Sequence, residues 1–269
     1  MVMGVLNVTP DSFSDGGEFF EPDAAVAHGR HMVAQGADII DIGGESTRPG
    51  ADRVPVEEEL KRVLPVIEAL RGASDVLLSI DCWKARVARA ALDAGADMIN
   101  DIGGLRLDPE MAGLAGETGA GVVIMHMQGR PQTMQKNPVY DDVVEDIKTF
   151  LREAIGRAEA AGVAREKILI DPGIGFGKTL EHNLEILRRL REFADLGAPM
   201  LIGTSRKSFL GKILDVPPEK RIIGTVATLG LAVREGVSVV RVHDVPEAVQ
   251  AVKVADAICR QGSRERGHT

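Results

Sequence analysis

The chain has 269 residues, 44% of them hydrophobic, enough to bury one large core. A formal net charge of −8 speaks against a nucleic-acid partner, which needs a basic surface to displace counterions, and leaves room for a small anion held by local positive charge. Cys82 and Cys259 are too few and too far apart for a disulfide framework, and no apolar run reaches membrane-span length, so the expectation is a cytoplasmic protein with no membrane partner.

In chain order, the apolar run 2–6 reads as a strand, and 23–35, with apolar residues at helical spacing, as a helix. The phrase repeats: strand 39–42 and helix 57–70, strand 76–80 and helix 85–94, strand 98–99, then strand 122–125 and helix 141–161. Strand 168–170 and helix 180–193, strand 200–202 and helix 220–234, and strand 239–242 complete it. Gly36, Gly95, Gly119, Gly162, Gly197 and Gly236 each stand between a helical stretch and the next strand, where a left-handed residue stops a helix. Eight such units predict an α/β fold, a single-domain (β/α)₈ TIM barrel over 1–269, with a polar tail that frays from about 261. An open dinucleotide-binding sheet is disfavoured because no GxGxxG opens the first helix.

Barrels of this kind do their chemistry at the carboxyl ends of the strands. Polar residues close the apolar runs there: Asn7, Asp41, Asp81, Asn100, His126, Asp171, Thr204 with Ser205, and His243. Each alone reads equally well as a turn or helix-cap residue. Together they predict one polar rim, since the opposite strand ends carry Gly and Ala.

Three stretches bear on charge. The loop 44–50, GESTRPG, sets hydroxyls, a guanidinium and backbone N–H groups in a tight turn suited to an anion. Arg241 and His243 alternate on the last strand and so share a face, either as a phosphate grip or as an interior ion pair. Lys207 sits where a helix opens after the seventh strand. The stretch 171–178, DPGIGFGK, mimics a nucleotide-binding P-loop but fails by one position, with Pro172 where the first glycine belongs. His28 and His31 are expected on a helix surface, outside any metal-ligand spacing.

GVLNVTPDSFSDGG at 4–17, GESTRPG at 44–50, DPGIGFGK at 171–178, TSRKSFLG at 204–211 and RVHDV at 241–245 resemble, in this order, the dihydropteroate synthase family. The resemblance spans nearly the whole chain. It implies joining of a pterin-methyl pyrophosphate to p-aminobenzoate. Pyrophosphate leaves first, and the aniline nitrogen attacks the resulting cation. The ring would be bound by Asp81, Asn100, Asp171 and Lys207, with Met125, Phe176 and Gly203 shaping its faces. Pyrophosphate would be held by Asn7, Thr47, Arg48, Arg241 and His243, with Mg²⁺ on Asn7 and Asp15. Phe13, Pro49 and Ser208 would border p-aminobenzoate.

The catalytic set implied is Asp15, Arg48, Asp171, Lys207 and Arg241, and a homodimer through the late helices is implied as well. Loss of Arg241 is expected to cost turnover while sparing ring binding. Cys82-Trp83 after Asp81, and Gly103 where the family has serine, depart from the family pattern and bear on the shape of the pterin pocket. Two alternatives share the ring-binding residues: a methyltetrahydrofolate:corrinoid methyltransferase, and a pterin-binding paralogue without turnover. The GESTRPG loop and the RVH strand favour the synthase.

Overall fold

The computed structural model describes residues 1–9, 22–46 and 53–260. Eight strands, β1 Val2–Asn7, β2 Ile39–Gly43, β3 Leu77–Asp81, β4 Met98–Asp101, β5 Gly121–Met125, β6 Ile168–Asp171, β7 Leu201–Ile202 and β8 Val239–Val242, form one parallel sheet in the order β6-β5-β4-β3-β2-β1-β8-β7. A bridge between Ile170 and Met200, with Ile170 N donating to the Pro199 carbonyl at 3.0 Å, brings β6 to β7 and closes the barrel. The expected fold is therefore the observed one.

Nine α-helices are described: α1 Pro22–Ala34, α2 Val56–Arg71, α3 Ala85–Asp93, α4 Met111–Thr118, α5 Val143–Ala160, α6 Leu180–Arg188, α7 Ser208–Leu214, α8 Ile222–Arg234 and α9 Val245–Arg260. Local chemistry sets their ends. Asp142 caps α5 by accepting from Val144 N and Glu145 N, and Thr179 makes a reciprocal cap with His182 on α6. The six glycines singled out above all have positive φ, between 64° and 112°, which stops each preceding helical segment and turns the chain toward the sheet. The expected helix 180–193 divides at Arg189 (φ −111°, ψ 22°), beyond which the chain continues as a 3₁₀ segment, Leu190–Leu196. None of the described helices is long and apolar enough to cross a membrane.

The period-2 alternation of a strand separates two cores. Outward-facing residues such as Leu6, Ile40, Ile42, Leu78, Ile80, Ile99, Ile124 and Ile170 pack under the helices, for example against Val63, Val66, Ile67 and Leu70 of α2. Inward-facing residues form a separate apolar floor: Met3, Ile39, Met98, Val123, Leu201 and Val239, with Leu169 beside them. That floor fills the amino-terminal half of the barrel, so what lies above it opens toward the carboxyl ends.

Candidate active site

Two residues beyond the floor, the inner face changes character. On β2 Ile39 gives way to Asp41, on β4 Met98 to Asn100, on β6 Leu169 to Asp171, past β7 Leu201 to Gly203, and on β8 Val239 to Arg241. Asp81 ends β3 in register with Asn100, and Met125 ends β5 in register with Asp171. Each polar side chain is thus fixed by strand parity and is not left to a loop.

Arg241 ties these groups together. Its Nε donates to Asp41 Oδ2 at 2.6 Å and its Nη2 to Asp81 Oδ2 at 2.7 Å, while Asn100 Nδ2 donates to the same Asp41 oxygen at 2.9 Å. Asp41 is fully buried, and Asp41 Oδ1, Asp81 Oδ1 and the Ser79 hydroxyl lack a hydrogen-bond partner. Buried acceptors without partners cost free energy, and in an enzyme they mark where a ligand's donors belong. Arg241 therefore occupies the interior ion pair that was the alternative to a phosphate grip, with Nη1 committed to neither carboxylate.

The electrostatics follow from burial. Desolvation pushes Asp81 up to about 7, opposed by the Arg241 charge and aided by Asp41. Asp171 is raised for the same reason, although Gly173 N donates to its Oδ1 at 2.7 Å and stabilises the anion. Lys207 is pulled down to about 8 by burial and by repulsion from Arg241, with Asp171 and Asp81 opposing. His243 is lowered to about 4 by burial and then by Arg241 and Arg206, so it stands neutral; its Nδ1 lies 3.0 Å from the Ser205 hydroxyl. Burial works against the Arg241 charge, yet Asp41 and Asp81 outweigh it and keep the guanidinium protonated.

One side of the mouth is apolar. Ile102, Met125, Met127 and Met134 cluster there with Trp83, Leu107 and Phe176, and Lys207 Nζ lies 4.2 Å from the centre of the Phe176 ring. The φ of +83° at Gly175 suits only glycine, and a Cβ there would meet the Lys207 side chain at 3.2 Å, so this residue lets the 171–178 loop pass against the ammonium. A flat ring with donors and acceptors on its edge fits a cleft so divided between apolar wall and polar rim.

The expectations divide as follows. Asp81, Asn100, Met125, Asp171, Phe176, Gly203, Lys207 and Arg241 gather around the mouth, with Asn7 half-buried at the end of β1 and His243 just past β8. Ser208 is exposed at the start of α7. Phe13, Asp15, Thr47, Arg48 and Pro49 lie outside the described residues. The chain flanking 47–52 is tied down: Val54 N donates to Glu45 Oε1, and Lys84 Nζ donates to the Val54 carbonyl and pairs with Glu45 and Glu59 at 2.7 and 2.6 Å.

Two members of the expected rim do not face it. His126 lies one residue past Met125 and turns outward, edge-on to Phe150 at 4.8 Å and 3.0 Å from Lys178 Nζ. Thr204 also turns outward and accepts from Thr228 of α8 at 2.8 Å. Cys82 likewise faces away from the barrel, with its thiol toward the Lys84 carbonyl, so this departure from the family pattern falls outside the pocket. Trp83 joins the apolar wall. At Gly103 a Cβ would lie 2.6 Å from Leu107, so serine there would require Leu107 to move.

A parallel barrel whose mouth sets carboxylates, an amide and cations against an apolar wall defines an enzyme that binds a flat heterocycle. The chain matches the family described as pterin binding enzyme over residues 3–243 and belongs to it. The Synechocystis dihydropteroate synthase is 51% identical over 260 residues, 96% of this chain and 90% of that protein. A Clostridium difficile dihydropteroate synthase solved in the presence of pteroic acid matches with a TM-score of 0.91 and 53% identity, covering 96% of each chain. A Xanthomonas albilineans dihydropteroate synthase with 4-aminobenzoic acid matches with a TM-score of 0.90 and 48% identity, covering 96% of this chain and 92% of that one. Within the pterin-binding enzymes, the chain falls in the dihydropteroate synthase family of transferases.

Proposed function

We propose that this protein joins 6-hydroxymethyl-7,8-dihydropterin pyrophosphate to p-aminobenzoate, giving 7,8-dihydropteroate and pyrophosphate in folate biosynthesis. The observation that carries the reading is the gathering of Asp81, Asn100, Asp171 and Arg241 on the inner face of the strands, with Lys207, from the loop after β7, reaching the Phe176 ring at the apolar wall. The pteroic acid and 4-aminobenzoic acid present with the C. difficile and X. albilineans enzymes match that chemistry.

The ring lies against the apolar wall, where Asp81, Asn100, Asp171 and Lys207 satisfy its edge. Departure of pyrophosphate creates two charges at once, and the barrel supplies a counter-charge for each. Arg241, held by Asp41 and Asp81, keeps Nη1 for the leaving anion, and His243 at the same rim offers an imidazole donor. Asp171, buried beneath, stabilises the pterin-methyl cation. The aniline nitrogen of p-aminobenzoate then attacks that carbon, so the protein needs no nucleophile of its own. Thr47 and Arg48 would complete the anion grip, and Phe13, Pro49 and Ser208 the aminobenzoate border.

Asn7 fits a role in holding Mg²⁺. It places an amide oxygen half-buried at the mouth, and Mg²⁺ takes one or two protein oxygens together with substrate phosphates and water; Asp15 is the second ligand proposed. When bound, the ion neutralises pyrophosphate charge.

The protein acts in the cytoplasm as a homodimer. Support for the dimer comes from a groove of about 660 Å³ between α8 and α9, lined by Val226, Ala227, Val254 and Ile258, with Ile223 and Leu231 also exposed on α8. The test of function is pyrophosphate release from the pterin pyrophosphate with Mg²⁺, with and without p-aminobenzoate. Release coupled one-to-one to dihydropteroate supports the reading. Methyl transfer to a corrinoid without pyrophosphate release, or ring binding without turnover, refutes it.

A further inference from the structure

Asp41 lies in the middle of β2, fully buried, on an inner face whose other members are Ile39 and Gly43. A carboxylate in that position is costly unless it is paired. Its pairing has a directional consequence. Asp41 Oδ2 accepts from Arg241 Nε at 2.6 Å and from Asn100 Nδ2 at 2.9 Å.

The two ends of an asparagine amide differ only in what they donate or accept, so its orientation is decided by its neighbours. Turned over, Asn100 would set its carbonyl oxygen against a carboxylate oxygen. Asp41 therefore fixes the amide with one Nδ2 proton spent inside the protein. Oδ1 and the second Nδ2 proton remain for the cavity, an acceptor beside a donor in fixed order.

We infer that Asp41 is a positioning residue that sets the donor–acceptor order of Asn100, and so selects 2-amino-4-oxo pteridines over 2,4-dioxo pteridines. The inference rests on the proposed function, which puts a pterin ring against Asn100. A pterin edge carries an exocyclic amino donor beside a ring-nitrogen acceptor, the complement of the amide held this way. In lumazine, the 2,4-dioxo analogue, that edge carries a carbonyl beside a ring N–H. Both partners are reversed, and only a flipped amide would match them. The wrong ring is then rejected because buried polar groups are left facing like groups, a stronger discriminator than shape.

Asp41→Ala removes the one oxygen that accepts from both Arg241 Nε and Asn100 Nδ2, so nothing at position 41 sets the Asn100 amide and it is free to flip. Arg241 retains Asp81.

Titration calorimetry of the wild type and Asp41→Ala with pterin and with lumazine tests this. The wild type is expected to prefer pterin by at least about 100-fold, and the variant to narrow that preference to below about 10-fold. A variant that keeps the wild-type ratio overturns the inference. So does one that weakens both ligands equally, because that is the signature of lost structure alone. Neutron diffraction from deuterium-exchanged wild-type crystals provides a check independent of any variant: two deuterons on the Asn100 atom facing Asp41 support the inference, and deuterons on the other atom overturn it. A wild type that binds neither ring withdraws the proposed function and this inference together, whereas pterin binding with an unchanged Asp41→Ala ratio withdraws the inference alone.

Discussion

Replacing Arg241 by alanine removes the cation that two buried carboxylates share. Its Nε and Nη2 contacts to Asp41 and Asp81 are 2.6 and 2.7 Å, and the side chain is only 22% exposed against 0% and 9% for its partners. Breaking one partner out of a buried pair costs about 3–5 kcal/mol. The partial exposure of the guanidinium places this case near 3 kcal/mol by the same reasoning.

The loss carries a pH signature. Asp81 already titrates near 7 with Arg241 in place, and without it the value moves higher. A carboxyl whose folded pKa exceeds its unfolded value near 3.9 contributes stability that is full below the unfolded pKa and fades as pH rises through the folded one. The deficit relative to wild type should therefore be small near pH 5 and grow between pH 7 and 9. Chemical denaturation of both proteins at pH 5, 7 and 8.5 measures it. A deficit below about 1 kcal/mol at pH 8.5, or one equal at pH 5 and 8.5, refutes the reasoning. The same coupling revises the expectation that ring binding survives this substitution: with Asp81 protonated at neutral pH, ring affinity falls as well and returns only at higher pH.

In the wild type, pterin affinity should rise as Asp81 deprotonates through about 7 and fall as Lys207 loses its proton beyond about 8; calorimetry from pH 5.5 to 9.5 would reveal a flat profile if neither group meets the ring. Asp171→Asn keeps the acceptor for Gly173 N but turns the other oxygen into a donor, so ring affinity should drop roughly 10- to 100-fold, while unchanged affinity removes Asp171 from the ring site. Lys178, buried and lowered to about 7, gives the native state fewer protons than the unfolded chain between pH 7 and 10, so its contribution to stability rises across that window. Lys178→Met should abolish the rise, and denaturation midpoints that climb equally in both proteins contradict this. Ile258→Asp, on the exposed face of α9, should yield monomers in sedimentation velocity without lowering the melting temperature of the subunit, whereas an unaltered dimer places the interface elsewhere.

Much of the barrel was legible because each repeat states its own rules: an apolar run, a helical stripe and a glycine at positive φ. The edges of that legibility have physical causes. β7 shrinks to Leu201–Ile202 because Pro199 has no N–H to give, and closure rests on Met200 and on the Pro199 carbonyl. His126 and Thr204 were grouped with the rim because they end strands, but a position one residue on from an inward side chain faces outward. Asp41 was visible as a charge inside the run Ile39–Gly43, and strand parity with Ile39 would have put it in the barrel. What parity cannot supply is its partner, since Arg241 lies 200 residues away and Asp81 160 from that arginine. Lys178 read as part of a near-miss nucleotide loop. It serves instead to tie that loop down, donating to the Phe176 carbonyl at 2.9 Å beside the His126 ring.

A crystal structure with 6-hydroxymethylpterin bound measures the heart of this account. The ring should lie above the Met3–Val239 floor, one face against Met125 and Phe176, with Asp81, Asn100, Asp171 and Lys207 within hydrogen-bond distance of its edge. Density for the ring anywhere else, or a ring in the mouth that leaves those four groups unengaged, would contradict it.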